Sequence, residues 1–563
     1  MDMTGGDILL RCLVNEGVKF IFALPGGQIA PILDAVCRWG KEADIQTISM
    51  RHEQACAHAA DAWARITGEI GVCLATVGPG AADLVPGITA AWADSSPVLA
   101  ITGQVWNEEM GKGATQGDLD QINLFKPITK WNKQIKSTEE IQKTTYTAFK
   151  TAFEGCPGPV HLDISTDALV EKMDLDINAF LKPSQYRPVV HSTSDPTLLK
   201  QAVEMLLKAE RPLIVAGGGV MLGEAWSELQ QLAEFLNIPV ATSLRGTGAI
   251  PSDHSLYVPL IYPFFKAMHD ADVILLIGSK VGGDLRLGQP PLWNDENLQK
   301  VIQIDIDALQ IGKNRKAALG IVGDAKLALR TLHEIAQKKL QNPRPEYEWV
   351  RMLRDYTRKD WQKEENKYDG KIPIKPQYLA KEIGKFLSDE SVIILDGGDI
   401  TVYGLQYIRK FRPRSFLMSC AMGHLGFGLP AAIAAKLARP DAQVCALQGD
   451  GAFMFNVQEL ETAKRYNLSI VNVIGNNGSW AMIRNCQKIA FKRRFIDVDF
   501  GVVDYVKLAE AFGCYGERVE KPEEIQGALK RAFESNLPAI VDVVIDRNET
   551  PIGDSINYAK YVR

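Results

Sequence analysis

Short apolar runs bounded by glycine or proline recur along this chain, and each gap between them is long enough for one helix. Between residues 20 and 165 the runs are KFIFALPGG, GVCLATVGPG, PVLAITGQV and PVHLDI, with helical stretches such as residues 54–65 between them. Runs this short and this apolar suit strands covered on both faces, and strand–helix–strand repetition implies a parallel sheet with helices on either side. A second group follows (PLIVAGGGV, IPVATSL, DVILLIG, KVIQIDID) and then a third (SVIILDGGD, QVCALQGDG, SIVNVIGNN, AIVDVVI). The polar residues 170–196 and the charged residues 358–376 read as linkers. At 563 residues the chain is too long for one core. The expectation is an α/β protein of three doubly wound parallel-sheet domains, at 1–180, 190–345 and 370–550.

Charge and cysteine usage narrow the partners. With 63 basic against 68 acidic side chains the net charge is -5, so there is no basic footprint for nucleic acid and a small-molecule substrate is the default. The 9 cysteines are scattered and form no C-x-x-C pair, which argues against a disulfide framework and for a reducing, cytoplasmic setting. The apolar runs all break well short of the roughly 18 residues a membrane span needs. The opening MDMTGGDILLRCLVNEG is acidic where a leader would be basic, so no cleaved leader is expected.

The strongest chemical signal lies in the third group. Gly449-Asp450-Gly451 follows one strand directly and Asn476-Asn477 follows the next. A right-handed β-α-β crossover puts the ends of both strands on one sheet edge, so Asp450 and Asn477 can meet. A carboxylate and an amide oxygen, completed by phosphate oxygens, a backbone carbonyl and water, are ligands Mg²⁺ accepts. Gly449 and Gly451 would admit a diphosphate to the backbone. Taken singly each motif is an ordinary turn. It is their spacing, each at a strand end, that points to a site.

Gly-Asp-Gly, 24 intervening residues and Asn-Asn resemble the diphosphate signature of thiamine diphosphate (ThDP) enzymes. The resemblance implies that Asp450, Asn477 and the Ser479 carbonyl hold Mg²⁺, with Gly449, Gly451 and Ala452 beside the diphosphate and Gly398-Asp399 at a further diphosphate-binding position. It also assigns Glu53, in Arg51-His52-Glu53, to proton sharing with N1' of the cofactor's aminopyrimidine, for which a water-shielded carboxyl has a suitably raised pKa. On the residues alone Glu53 reads as a first-turn carboxylate favoured by the helix dipole. In Gly423-His424-Leu425-Gly426-Phe427-Gly428, the Gly423 carbonyl would accept from the 4'-amino group and Leu425 would wedge beneath the cofactor. Because the family pairs the first domain of one subunit with the third of another, a homodimer is the minimum assembly and a homotetramer the usual one.

The segments LPGG (24–27), RHEQ (51–54), GPGAAD (78–83), IDIDALQIGKNR (304–315), GDAKLAL (323–329), GFGLPAAI (426–433) and NVQELETA (456–463) are most similar to acetolactate synthase. That branch implies a 2-oxo acid donor, or a 2-hydroxy ketone, and a second carbonyl acceptor. The departures concern the substrate pocket. Residues 114–118 read Ala-Thr-Gln-Gly-Asp in place of a Phe-Gln-Glu triplet, and Gln116 falls where benzaldehyde lyase has an active-site glutamine. Cys486 replaces a tryptophan, Lys280-Val281-Gly282-Gly283-Asp284 replaces the synthases' Arg-Phe-Asp-Asp-Arg, and His424 stands where relatives have a small residue. His424 could relay protons or orient a carbonyl, or be a bystander behind the site. Asp305 and Asp324 resemble positions that contact FAD in synthases or ADP in oxalyl-CoA decarboxylase. Gly217-Gly218-Gly219 could let phosphates approach, and a central domain with no ligand is the competing reading. The basic run Lys488, Lys492, Arg493, Arg494 is an ordinary solvated face, or in a 2-hydroxyacyl-CoA lyase or oxalyl-CoA decarboxylase the place for acyl-CoA phosphates.

Overall fold

The computed structural model describes residues 2–187, 192–260, 262–365 and 367–551. It contains three parallel sheets flanked by helices. The first is built from β1 (Phe20–Ala23), β2 (Gln46–Ser49), β3 (Gly71–Ala75), β4 (Val98–Gln104), β5 (Trp131–Ile135) and β6 (Val160–Ser165), in the order β2-β1-β3-β4-β6-β5. The second holds β7 (Pro212–Ala216), β8 (Val240–Thr242), β9 (Val273–Ile277), β10 (Lys300–Asp305) and β11 (Leu319–Val322), in the order β8-β7-β9-β10-β11. The third holds β12 (Val392–Asp396), β13 (Phe416–Leu417), β14 (Val444–Gly449), β15 (Val471–Asn476), β16 (Tyr515–Val519) and β17 (Ala539–Val544), in the order β13-β12-β14-β15-β17-β16. The helices that concern the site are α1 (Glu53–Thr67), α2 (Pro79–Ala93), α3 (Ala325–Lys339), α4 (Asp399–Tyr407), α5 (Gly428–Ala438), α6 (Glu459–Arg465) and α7 (Ala481–Ala490).

The strand sequences explain this layering. Every residue of β4, β9 and β12 is buried, including both faces of the pleat, as strands sandwiched between helix layers require. Each Val, Leu or Ile so buried contributes about 1.5–3 kcal/mol. The first and third sheets share one strand order, and in both the order reverses between the first and third strands of the sheet. Loops leaving the carboxyl ends of strands at such a reversal form the crevice where α/β sheets bind ligands. In the first sheet those loops are residues 24–28 and 76–80; in the third they are 397–399 and 450–451.

The described chain divides into two compact units, one of residues 1–190, 417–441 and 452–470, the other of residues 191–416, 442–451 and 471 onward. The first unit therefore combines the first sheet with α5, α6 and the residues leading into α5. The second contains the other two sheets.

Both stretches expected to be linkers carry structure. In the first, Lys172–Asp174 pairs antiparallel with Asp2–Thr4. In the second, a helix, Glu348–Glu365, continues through the first part of the charged run. Trp349, Val350, Leu353 and Thr357 are buried at helical spacing, and Trp349 Nε1 donates to the Pro212 carbonyl at 2.9 Å. That apolar stripe anchors the helix, and Arg358 and Lys359, the first residues of the charged run, continue it with exposed side chains.

Candidate active site

Strand register brings the two halves of the metal motif together. Gly449, the last residue of β14, pairs with Gly475 of β15, so Asp450 and Asn477 leave the same sheet edge on adjacent strands. Asp450 is buried; its Oδ1 accepts from the Gly451 amide at 2.9 Å and its Oδ2 from the Gly478 amide at 2.6 Å. Asn477 Oδ1 accepts from the Ser479 amide and hydroxyl at 3.0 and 2.9 Å. Residues 477–479 thus form one turn, with Gly478 at φ 62°. Arg547 Nε and Nη2 brace that turn by donating to the Asn477 carbonyl, and Phe500 N donates to the Gly478 carbonyl at 2.8 Å. Burial pushes the Asp450 carboxyl up to about 6, partly offset by amides of the turn. A buried carboxylate is costly without a counter-charge, and a divalent cation supplies one. One carboxylate, one amide oxygen and one backbone carbonyl on adjoining turns fit Mg²⁺.

The neighbouring glycines have distinct reasons. A Cβ on Gly451 would lie 2.5 Å from the Trp480 ring, so this glycine admits the indole, and its amide is engaged by Asp450 itself. Gly449 is open apart from Ile400 at 3.7 Å, and Gly398 lies against Met482. Ala452, which belongs to the first unit, is buried. Asp399, in the first turn of α4, is buried and pushed up to about 6 by that burial. Its Oδ2 accepts from Asn485 Nδ2 of α7 at 2.6 Å, while its Oδ1 is buried without a partner. Cys486, next along α7, is partly exposed.

In the first unit, Glu53 opens α1 and is buried, and burial, reinforced by the Asp83 charge, raises its carboxyl above the usual range. A Cβ on Gly80 would stand 3.1 Å from Glu53 Oε1. Gln116, exposed and at φ 68°, borders the same 78–80 loop, since a Cβ on Gly78 would lie 2.6 Å from its carbonyl oxygen. Gly78 N in turn donates to Gln121 Oε1 at 2.8 Å. The structure therefore gathers Glu53 and Gln116 around one glycine-rich turn.

The His424 segment is pinned from several sides within that unit. Gln54 Nε2 donates to the Leu425 carbonyl at 3.3 Å and Arg65 Nη1 to the Met418 carbonyl at 2.8 Å. The Asp94 carboxylate accepts from the Cys420 and Ala421 amides at 3.0 and 3.1 Å, and Asn456 Nδ2 donates to the Gly426 carbonyl at 2.7 Å. Gly423, at φ 63°, has nothing within 4 Å of the point where a Cβ would stand, so its peptide is open on that side. Leu425 and His424 are half-buried. A further carboxylate, Glu459 of α6, accepts from the Arg51 amide at 3.0 and 3.2 Å and from the Thr462 hydroxyl at 2.6 Å, and so holds the turn that delivers Glu53.

In the second sheet Asp305 and Asp324 sit at one edge, because Asp305 of β10 pairs with Val322 at the end of β11. Asp305 is buried, pushed up to about 6 by desolvation, and its Oδ1 accepts from the Asp307 amide at 2.9 Å. Asp324 caps α3 by accepting from the Leu327 amide at 2.9 Å. The glycine run 217–219 serves backbone packing: Cβ atoms on Gly217 and Gly219 would lie 2.3 and 2.6 Å from Gly278. Phosphate access therefore gains no support from that run.

Sequence reasoning did not single out Glu459, Asp94, Arg65, Asn456, Asn485 or Trp480. Glu459 lies inside NVQELETA, and its signal would have been a carboxylate placed between Val457 and Leu460, one turn before the apolar Ala463. The others are recognisable only from partners far along the chain.

Three family profiles match in order: the thiamine pyrophosphate enzyme N-terminal TPP binding domain over residues 3–124, the central domain over 199–332 and the C-terminal TPP binding domain over 396–543. The chain is 40% identical to the probable acetolactate synthase large subunit of Methanocaldococcus jannaschii, covering 97% of this chain and 93% of that one. It is 35% identical to the acetolactate synthase large subunit of Buchnera aphidicola subsp. Schizaphis graminum, covering 97% and 95%. With the acetolactate synthase isozyme 3 large subunit of Escherichia coli it shares 33% identity over 97% and 96%. Matched in all three domains and along nearly its whole length, the chain belongs to the thiamine pyrophosphate enzyme family.

Proposed function

We propose that this protein is an acetolactate-synthase-like carboligase, dependent on ThDP and Mg²⁺, that forms or breaks a carbon–carbon bond beside a carbonyl of a 2-oxo acid or 2-hydroxy ketone. The observation that carries the reading is the turn 477–479 closing on a buried Asp450, a donor set suited to a magnesium-bound diphosphate. When bound, ThDP supplies the carbon nucleophile and electron sink for such chemistry. The chain's own residues would do the rest. Asp450, Asn477 and the Ser479 carbonyl hold the metal. Glu53, buried with a raised pKa, keeps a proton shared with the aminopyrimidine N1'. With ThDP bound, the Gly423 carbonyl would accept from its 4'-amino group and Leu425 would support the cofactor from beneath. Gln116 and Cys486, where synthases differ, set the acceptor pocket. Since Glu53 and Asp450 belong to different units of the chain, the reading includes a homodimer or homotetramer in which one subunit's first domain completes another's site. It also includes a cytoplasmic location and FAD or ADP at Asp305 in the central domain.

A second reading, a 2-hydroxyacyl-CoA lyase or oxalyl-CoA decarboxylase activity, is favoured by one observation: Lys492, Arg493 and Arg494 are exposed just beyond α7. Incubation with ThDP, Mg²⁺ and, in separate reactions, pyruvate, benzoin and a 2-hydroxyacyl-CoA distinguishes the two. Acetolactate from pyruvate supports the first reading. Turnover of the CoA ester alone replaces it with the second.

A further inference from the structure

Gln54, His58, Asp61 and Arg65 recur at helical spacing along α1. Gln54 and Arg65 bond to the ends of the segment that carries His424, and His58 lies between them. His58 is fully buried, and burial drives its imidazole neutral, down to about 3. Its Nε2 lies 3.4 Å from Gln54 Nε2. An amide nitrogen only donates, so His58 Nε2 is an acceptor and the ring's single N–H is on Nδ1. That Nδ1 is buried without a partner, and so is Nε2 of His424. The two rings are tilted by 58° with centroids 6.0 Å apart. A direct N–H···N bond would need centroids within about 5 Å. One water with two hydrogen bonds of about 2.8 Å would bridge rings at this separation and satisfy both nitrogens.

We propose that a single buried water accepts from His58 Nδ1–H and donates to His424 Nε2, making His58 a positioning residue that fixes His424 as its Nδ1–H tautomer. An imidazole free in water favours Nε2–H, so the constraint is a departure that needs a cause. His424 then offers Nδ1–H as a donor of fixed direction, suited to a substrate carbonyl oxygen on which negative charge develops. This last role rests on the proposed function; the tautomer does not.

The test is the tautomeric state of His424 by long-range proton–nitrogen correlation spectra of the cofactor-free, full-length protein labelled in its imidazole nitrogens. The wild-type protein should show His424 protonated on Nδ1, His58→Leu should shift it to mainly Nε2–H, and His58→Gln, which keeps an N–H donor, should restore Nδ1–H. In the loaded enzyme His58→Leu should lower kcat about tenfold while leaving KM for ThDP unchanged. Nε2–H in the wild-type protein, which needs no variant to fold, overturns the proposal, as does a tautomer indifferent to His58→Leu. Absence of ThDP uptake alongside the expected tautomers would instead overturn the proposed function.

Discussion

Glu459 offers a quantitative test of how the glutamate-bearing turn is held. Its carboxyl is fully buried, and desolvation pushes it from an ordinary 4.5 up to about 7, against the hydrogen bonds from Thr462 and the Arg51 amide. The folded protein therefore binds this proton more tightly than the unfolded chain does. A carboxyl raised in the folded state contributes stability that is complete below about pH 4.5 and is lost as pH rises through about 7. At about 1.4 kcal/mol per unit, the shift amounts to about 3 kcal/mol. Glu459→Gln removes the titration while keeping the side chain's size and an oxygen for the Arg51 amide. Urea unfolding of the cofactor-free protein, followed by Trp63 burial at α1, should show the stability of wild type relative to Glu459→Gln falling by about 3 kcal/mol between pH 4.5 and 7 and levelling off above that. A difference that stays constant across this window would refute the reasoning, because it would mean Glu459 keeps an ordinary pKa in the folded state.

Other outcomes follow from single contacts. Glu53→Gln should abolish deuterium exchange at C2 of bound ThDP while calorimetry shows the cofactor still binding; unchanged exchange would remove Glu53 from the chemistry. Asp94→Ala leaves the Cys420 and Ala421 amides without their acceptor beside the buried Arg65, and should cost about 3–5 kcal/mol in denaturant unfolding. A loss under about 1 kcal/mol would show that the segment before α5 is held by other means. Gly451→Ala drives a methyl into the Trp480 ring and should destabilise by about 1–3 kcal/mol, a penalty that Trp480→Leu relieves in the double variant; additive losses would contradict the contact.

The three-sheet architecture is legible in the sequence because two-sided burial leaves a local mark. Runs such as VILLIG and VIILDGGD are apolar up to the glycine or aspartate that ends the strand, and that residue marks the carboxyl-end sheet edge, where α/β sheets generally bind ligands. For the same reason Asp450 and Asn477 can be brought together from spacing alone. What holds the site is not legible. Asp94 and Cys420 are 326 residues apart in sequence, and Arg51 and Glu459 are 408 apart. No local periodicity reports such pairs. The sequence suggests a diphosphate-binding role for Asp399, and only the structure reveals that Asn485 holds one of its oxygens. The run Gly217-Gly218-Gly219 has a phosphate-loop appearance, yet its lack of side chains serves a close backbone crossing at Gly278. The helix Glu348–Glu365 is hidden because the exposed Arg351, Arg354, Arg358 and Lys359 interrupt the apolar signal of the buried Trp349, Val350, Leu353 and Thr357.

The most direct measurement is calorimetric titration of the protein with ThDP, in Mg²⁺ and again in excess chelator, for wild type and Asp450→Ala. Saturable uptake that depends on the metal and is lost in the variant is expected. Uptake by wild type that ignores the chelator, or by Asp450→Ala at wild-type affinity, would contradict this.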